Sequence, residues 1–246
     1  MTTVTLHPDN DALPKDELIA RGWSALPAAY RMPDVAPSLE EARAWCKRLA
    51  ESHYENFHVA TWFLPKALRP HFHAIYAYCR VSDDLGDEVP DPAIALALLD
   101  MWGRELDACY QGCARHPVFV ALRETIRACS IPKEPFADLL TAFRQDQTVT
   151  RYRTMQEVLQ YCRYSANPVG RLVLYACGYA DEERFRLADA TCSALQLANF
   201  THILPEVGQL QSGACRVRKP EPLLVRIAAR IQHQAAHWIR GIAAVL

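Results

Sequence analysis

The stretch Tyr76-Ala-Tyr-Cys-Arg-Val-Ser-Asp-Asp-Leu-Gly-Asp-Glu88 places four carboxylates within six residues, directly after an aromatic-rich apolar run. On an α-helix, residues four apart lie on the same face, about one turn apart along the axis. A helix here therefore predicts that Asp83 and Asp87 project side by side, with Asp84 and Glu88 as a second pair alongside them. The stretch predicts an acidic face at the C-terminal end of a helix.

Two interpretations of this acidic face remain open from these residues alone. Like charges one turn apart repel, and carboxylates at a helix C-terminus also oppose the helix dipole. A divalent cation would relieve both effects, because Mg²⁺ is typically held by one or two carboxylates together with substrate phosphate oxygens. Arg80, one turn before Asp84, adds a cation suited to bidentate contact with a phosphate. The alternative is an ordinary solvated acidic helix end.

Length and composition limit the classes of protein that the chain can belong to. Its 246 residues correspond to one large domain or two small ones, and half of them are apolar, which suffices for a sizeable core. The formal net charge of −1 argues against a nucleic-acid partner. Nine cysteines without a CxxC pair are typical of buried or free thiols in a reducing compartment.

No secretory signal and no uncharged apolar run of about 20 residues is visible in the sequence. We therefore expect a cytoplasmic protein, which can also lie peripherally on the inner face of the membrane.

The pattern along the chain predicts an all-α fold. Residues 1–37 contain five prolines and predict an irregular N-terminal extension with one short helical turn at 15–21. Ser38-Leu-Glu-Glu41 is a capping box that begins a helix through about His53. Further helices are predicted at residues 66–86, 93–111, 117–129, 133–147 and 154–166. No stretch has strand-like alternation of any length, so residues 38–200 predict a single helical domain.

Asn167-Pro-Val-Gly170 interrupts an apolar helical run that begins at Tyr161. A proline inside a helix removes a backbone hydrogen bond and kinks it, and a glycine permits close approach of backbone or ligand. Such a break either shapes a cavity or is a simple turn between two helices.

Several spaced motifs resemble the squalene/phytoene synthase family, in the family's order along the chain. They are His53-Tyr-Glu-Asn-Phe57, Leu64-Pro65, Tyr76-Ala-Tyr-Cys-Arg80, Asp83-Asp-Leu-Gly-Asp-Glu88, Tyr161-Cys-Arg-Tyr-Ser-Ala-Asn-Pro-Val-Gly170 and Gln196-Leu-Ala-Asn-Phe200. The run Phe143-Arg-Gln-Asp-Gln-Thr-Val-Thr-Arg-Tyr152 and the His-Tyr-Glu-Asn-Phe opening resemble in particular the bacterial hydroxysqualene synthases of the hopanoid pathway. The resemblance covers about residues 38–200.

The resemblance implies an isoprenoid-synthase fold around a deep cavity, in which two acidic motifs face each other and hold Mg²⁺ on a prenyl diphosphate. It assigns catalytic roles to Tyr76, Arg80, Asp83, Asp87 and Tyr164, and metal ligation to Asp83, Asp84, Asp87 and Asn199. Its substrate-binding residues are Asn56, Phe57, Arg80, Tyr164, Gln196 and Asn199. The aromatic rings of Phe57, Trp62, Tyr76 and Tyr164 are candidates to shield a carbocation. For each of these rings, ordinary core packing is the alternative.

The implied reaction converts presqualene diphosphate to hydroxysqualene with release of diphosphate. One alternative is head-to-head condensation of two prenyl diphosphates, such as farnesyl diphosphate, as in presqualene diphosphate or phytoene synthases. Another is a non-catalytic helical relative that acts in binding or assembly. The implied partners are the prenyl diphosphate substrate, the membrane surface and other enzymes of the same pathway.

The chain departs from the family pattern after Phe200. The family's second motif continues with two aspartates, at the positions held here by Ile203 and Val207, and Glu206 is one residue out of register. We therefore predict weak diphosphate binding and slow turnover. The tail, 201–246, carries six Lys/Arg against two Asp/Glu, and we hypothesise that it arose by a frameshift, altered splicing or truncation. Residues 222–246 predict a basic amphipathic helix that packs on the core or lies on an anionic membrane.

Overall fold

The structure is a computed structural model that describes residues 14–53 and 64–202. The helices of these two ranges are α1 (Lys15–Ala25), α2 (Leu39–His53), α3 (Arg69–Asp87), α4 (Pro92–Gln111), α5 (Pro117–Cys129), α6 (Glu134–Thr148), α7 (Met155–Ser165), α8 (Asn167–Ala176) and α9 (Glu182–His202). A single 3₁₀ turn spans Ala28–Tyr30, and neither range contains a strand. The all-α class is confirmed.

The start of α2 has the predicted capping box. The Ser38 hydroxyl accepts a hydrogen bond from the Glu41 backbone N–H at 3.3 Å, and the Glu41 carboxylate accepts one from the Ser38 backbone N–H at 2.8 Å. The two side chains therefore satisfy two of the backbone donors that a helix N-terminus leaves unpaired.

The segment before α2 is more ordered than predicted. Helix α1 runs to Ala25, beyond the predicted turn at 15–21, and ends because Leu26 precedes a proline and is extended. Gly22 lets α1 approach α4 closely, since a Cβ there would lie 2.5 Å from Leu98 Cδ1. Leu26 and Tyr30 belong to the main core. Residues 18–30 therefore contribute buried side chains to the helical domain, whereas residues 31–37 are irregular and exposed or half-buried.

Helix α3 lies at the centre and packs against α2, α4, α5 and α6. Apolar side chains line its buried face, and two polar groups there are satisfied within the core. The Tyr78 hydroxyl donates to the Phe136 carbonyl at 2.8 Å, and Trp102 Nε1–H donates to the Ser82 hydroxyl at 2.9 Å. These bonds fix the rotation of α3 about its axis, and that rotation decides which of its carboxylates are buried.

The break at Asn167-Pro-Val-Gly170 joins two helices, and Asn167 and Pro168 also line a cleft, so both predicted interpretations of the break apply. Only Ala166 separates α7 from α8, and Pro168 lies in the first turn of α8, where its missing N–H leaves no helical bond unmade. Gly170 allows α8 to approach α9, because a Cβ there would lie 2.6 Å from Cys192 Sγ. The close approach predicted at this glycine is therefore between the backbone of α8 and side chains of α9.

The eight cysteines within the described ranges are all free thiols, as predicted. None of the helices in those ranges combines the length and the apolar character that a membrane span requires.

Candidate functional site

The acidic end of α3 is divided between the interior and the surface. Asp83 and Asp84 are only 3% and 4% exposed, whereas Asp87 and Glu88 are exposed. A purely solvated helix end would expose all four carboxylates, because buried charges carry a large desolvation cost. The arrangement therefore disagrees with the solvated interpretation for Asp83 and Asp84.

Asp84 is bonded to Arg80 and to a tyrosine from the N-terminal segment. Arg80 donates from Nε to Asp84 Oδ2 at 3.0 Å, and Arg80 Nη2 lies 2.6 Å from Asp84 Oδ1. The Tyr30 hydroxyl donates to Asp84 Oδ2 at 2.7 Å. Both carboxylate oxygens of Asp84 are thus engaged by protein groups. In this arrangement Asp84 holds Arg80, and its predicted ligation of a metal stays a prediction.

Asp83 lies in an environment that disfavours its charged form. Burial, followed by the negative charge of Asp87, raises the pKa of Asp83 well above its usual range, while the charge of Arg80 opposes this effect. A hard cation between Asp83 and Asp87 would offset both the desolvation of the Asp83 charge and its repulsion by Asp87.

Asp146 on α6 lies within the run Phe143–Tyr152, but the sequence pattern predicted no role for this carboxylate. Its charge also raises the pKa of Asp83, and its carboxylate accepts a hydrogen bond from the Tyr161 hydroxyl at 2.9 Å. Next to it, Gln147 Nε2 donates to the Gly86 carbonyl at 3.1 Å and joins the end of α6 to the acidic end of α3. Helical periodicity could have found Asp146, because it lies three and seven residues beyond the buried Phe143 and Leu139.

Gln196 on α9 is a buried polar side chain. It is 1% exposed, and neither its amide oxygen nor its amide nitrogen has a hydrogen-bond partner among the residues that the structure describes. A buried amide without partners is costly, which is consistent with a site that receives a ligand or another part of the chain. Asn199 lies three residues further along the same helix.

The two candidate tyrosines occupy different surroundings. Tyr76 is buried against Ala50 of α2. Tyr164 is half-buried and lines an open cleft of about 800 Å³ between α6, α7, α8 and α9. None of the α3 carboxylates is among the residues that line this cleft. The structure therefore brings Arg80, Asp83 and Asp87 together on one helix, and it places Tyr164 on the wall of this cleft, so a common site for Tyr164 and the α3 carboxylates stays a prediction.

Some predicted residues lie outside the part of the chain that the structure describes. They are Asn56, Phe57, Trp62, the side chain of Asn199, Ile203, Glu206, Val207 and the tail to residue 246.

The carboxylates at the end of α3 fit the part of a magnesium centre that one wall of a diphosphate site supplies. Within residues 14–53 and 64–202 no three His, Cys, Asp or Glu side chains converge to hold a metal ion. Mg²⁺ nevertheless needs only one or two protein carboxylates when substrate phosphates complete its shell. Asp83 and Asp87 match that pattern, since they lie one turn apart and the charge of Asp87 raises the pKa of Asp83.

Comparisons with known proteins agree with the motifs. A model of the squalene/phytoene synthase family matches residues 50–215. A hydroxysqualene synthase from Rhodopseudomonas palustris is 35% identical over 179 residues, which are 72% of this chain and 59% of the relative. The chloroplastic phytoene synthase 1 of Zea mays is 30% identical over 201 residues, which are 80% of this chain and 48% of the relative. This chain thus spans about half to three fifths of the length of these relatives.

A solved structure has the same fold. The squalene synthase HpnC from Alicyclobacillus acidocaldarius superposes with a TM-score of 0.62 and 46% sequence identity, covering 73% of this chain and 64% of that one.

Proposed function

Because the chain belongs to the squalene/phytoene synthase family, we propose that it binds a prenyl diphosphate at the acidic end of α3. The observation that carries this proposal is the grouping of the buried Asp83, the exposed Asp87 and Arg80, which Asp84 holds in a bidentate pair. This grouping offers ligands for a divalent cation and donors for a phosphate oxygen on the same side of one helix. Family members use a divalent metal with diphosphate substrates.

The reaction that we propose is the conversion of presqualene diphosphate to hydroxysqualene. The carbon–oxygen bond to the diphosphate breaks with its electron pair on the leaving oxygen. The cyclopropylcarbinyl cation then rearranges, and cleavage of a cyclopropane carbon–carbon bond opens the ring to an allylic cation. Water adds to this cation and loses a proton, which gives the alcohol. The support is the likeness to relatives named hydroxysqualene synthase and to the squalene synthase HpnC.

Each candidate residue has a defined task in this proposal. Asp83 and Asp87 would hold Mg²⁺, which when bound neutralises charge that develops on the leaving diphosphate. Arg80 donates to the diphosphate from the N–H groups that Asp84 does not use. The rings of Tyr76 and Tyr164 shield the carbocation from water. Asn56, Phe57, Gln196 and Asn199 contact the substrate by likeness to the family motifs.

Two other functions have an observation in their favour. The phytoene synthase relatives favour head-to-head condensation of two prenyl diphosphates. The replacement of the two family aspartates by Ile203 and Val207 favours a relative that binds without turnover. The chemical identity of the product separates the first from the proposed reaction, and the absence of any product identifies the second.

The proposal places the protein in the cytoplasm, with peripheral contact at the inner face of the membrane and near other enzymes of squalene or hopanoid formation. The basic amphipathic pattern of residues 222–246 supports the membrane contact.

A diphosphate-release assay on the purified chain tests the proposal. We expect Mg²⁺-dependent release from presqualene diphosphate, with hydroxysqualene as the organic product. The double variant Asp83→Asn/Asp87→Asn should lose it. The matched control is Asp107→Asn, which removes a half-exposed carboxylate that pairs with Lys133 on a different surface. The proposal would be refuted if the wild-type chain neither released diphosphate nor bound inorganic pyrophosphate in a Mg²⁺-dependent way.

A further inference from the structure

Tyr30 precedes the first residue that the family model matches, yet its hydroxyl contacts the acidic motif directly. We propose that Tyr30 is a positioning residue that holds Arg80, through Asp84, in the orientation that receives the diphosphate of the substrate. This inference rests on the proposed function of the α3 site and adds to it a residue from the N-terminal segment.

The contacts form a continuous chain from Tyr30 to Arg80. The Tyr30 hydroxyl and Arg80 Nε both donate to Asp84 Oδ2, at 2.7 and 3.0 Å. Arg80 Nη2 lies 2.6 Å from the other oxygen, Oδ1. An arginine and an aspartate one turn apart on a helix can rotate together as a pair. A third bond from a different element removes that freedom, because it fixes the plane of the carboxylate and with it the plane of the guanidinium.

Tyr30 is itself fixed from the opposite side. Its backbone carbonyl accepts a hydrogen bond from His116 Nε2 at 3.1 Å, and His116 Nδ1 accepts one from the Val118 backbone N–H at 3.2 Å. The acceptor role of Nδ1 makes the imidazole the neutral Nε2–H tautomer. Burial lowers the pKa of His116 to about 3, so the ring stays neutral over the working range of pH. The rings of Trp45 and Trp102 pack edge to face on this imidazole.

A purely structural role is the alternative, because a buried tyrosine hydroxyl needs a hydrogen-bond partner in any core. Two other tyrosines in the core satisfy that need with backbone carbonyls: Tyr78 donates to Phe136 O at 2.8 Å and Tyr110 to Ile131 O at 3.1 Å. Tyr30 differs from both, since its acceptor is the carboxylate that holds Arg80. Tyr110 therefore provides a matched control, with a comparable hydroxyl bond on a different helix.

The test compares Tyr30→Phe with Tyr110→Phe in the full chain. Binding of inorganic pyrophosphate in the presence of Mg²⁺ is measured by isothermal titration calorimetry. Loss of one hydrogen bond to a charged group should weaken binding about tenfold in Tyr30→Phe and leave Tyr110→Phe unchanged. In an Arg80→Ala background, Tyr30→Phe should cause no further loss, because Tyr30 acts through Arg80. Equal losses in both backgrounds, or an unchanged dissociation constant with only a lower Tm, would overturn the proposal.

A measurement without ligand separates this inference from the proposed function. The Arg80 Nε–H resonance is assigned by its disappearance in Arg80→Ala, and its hydrogen exchange is followed by NMR. We expect exchange about tenfold faster in Tyr30→Phe than in the wild type or Tyr110→Phe. Unchanged exchange would overturn the positioning role. If the wild type fails to bind pyrophosphate while exchange accelerates in Tyr30→Phe, the proposed function is refuted and the positioning of Arg80 by Tyr30 is supported.

Discussion

Replacing Asp83 by asparagine should stabilise the fold while it removes a metal ligand. The carboxyl group is 3% exposed, and burial together with the charge of Asp87 raises the pKa of Asp83 well above its usual range. The Arg80 guanidinium opposes this shift without cancelling it, because it is already paired with Asp84. At neutral pH the buried charge therefore favours the unfolded chain, where water solvates it.

The sign of the pH dependence follows from the direction of this shift. A carboxyl group with a raised pKa in the folded state binds its proton more tightly there than in the unfolded chain. Its contribution to stability is present at pH values below the pKa of the group in the unfolded chain, which is about 4. This contribution is lost as the pH rises through the pKa of the group in the folded protein. Asparagine carries no charge at any pH. We expect Asp83→Asn to raise the free energy of unfolding at pH 8 by about 1–3 kcal/mol, or Tm by about 3–10 °C.

The assay is thermal unfolding in EDTA at pH 5 and pH 8, with Asp107→Asn as the control. The difference in Tm between Asp83→Asn and the wild type should be larger at pH 8, and the control should show no such trend. Mg²⁺ with pyrophosphate should then raise the Tm of the wild type and not that of Asp83→Asn. A lower Tm for Asp83→Asn at pH 8, or a difference that does not change with pH, would refute the electrostatic account of Asp83.

Three further outcomes are expected. The double variant Ile203→Asp/Val207→Asp should increase Mg²⁺-dependent turnover, since loss of metal ligation costs on the order of a thousandfold in rate. If the unmodified chain released diphosphate as fast as the double variant, this expectation would be contradicted. Gly170→Ala should destabilise the fold by about 1–3 kcal/mol in urea unfolding, because its Cβ would lie 2.6 Å from Cys192 Sγ, and adding Cys192→Ala should recover most of the loss. Ser38→Ala should cost about 1 kcal/mol in the same measurement through loss of the α2 cap, and an unchanged midpoint would show that Glu41 alone caps the helix.

The features that the sequence predicted well depend on neighbours within a turn or two. The Ser38 capping box and the placement of Asp83 and Asp87 on one helical face both follow from local spacing. Such interactions join residues three or four positions apart, so their chemistry is visible in a short window of sequence.

The features that it could not predict join residues that are far apart in the chain. Tyr30 and Asp84 are separated by 54 positions, and no local pattern indicates that a hydroxyl from the N-terminal segment reaches the acidic helix. The burial of Asp84 beside the exposed Asp87 likewise depends on which elements cover α3. The sequence therefore indicated the type of site, whereas the partner of each carboxylate depended on tertiary packing.

The balance of charge at this site explains why diphosphate binding should depend on a cation. Among the residues that the structure describes, Arg80 is the cation that acts on Asp83 and Asp84, whereas Asp87, Glu88 and Asp146 add further negative charge around these two carboxylates. Asp84 already compensates the charge of Arg80, so a multiply charged anion that approached the metal-free protein would meet net negative potential. The guanidinium can orient a phosphate oxygen, but it cannot supply the attraction that brings the anion there. Pyrophosphate affinity should consequently vanish in EDTA even though every side chain that contacts the anion remains in place.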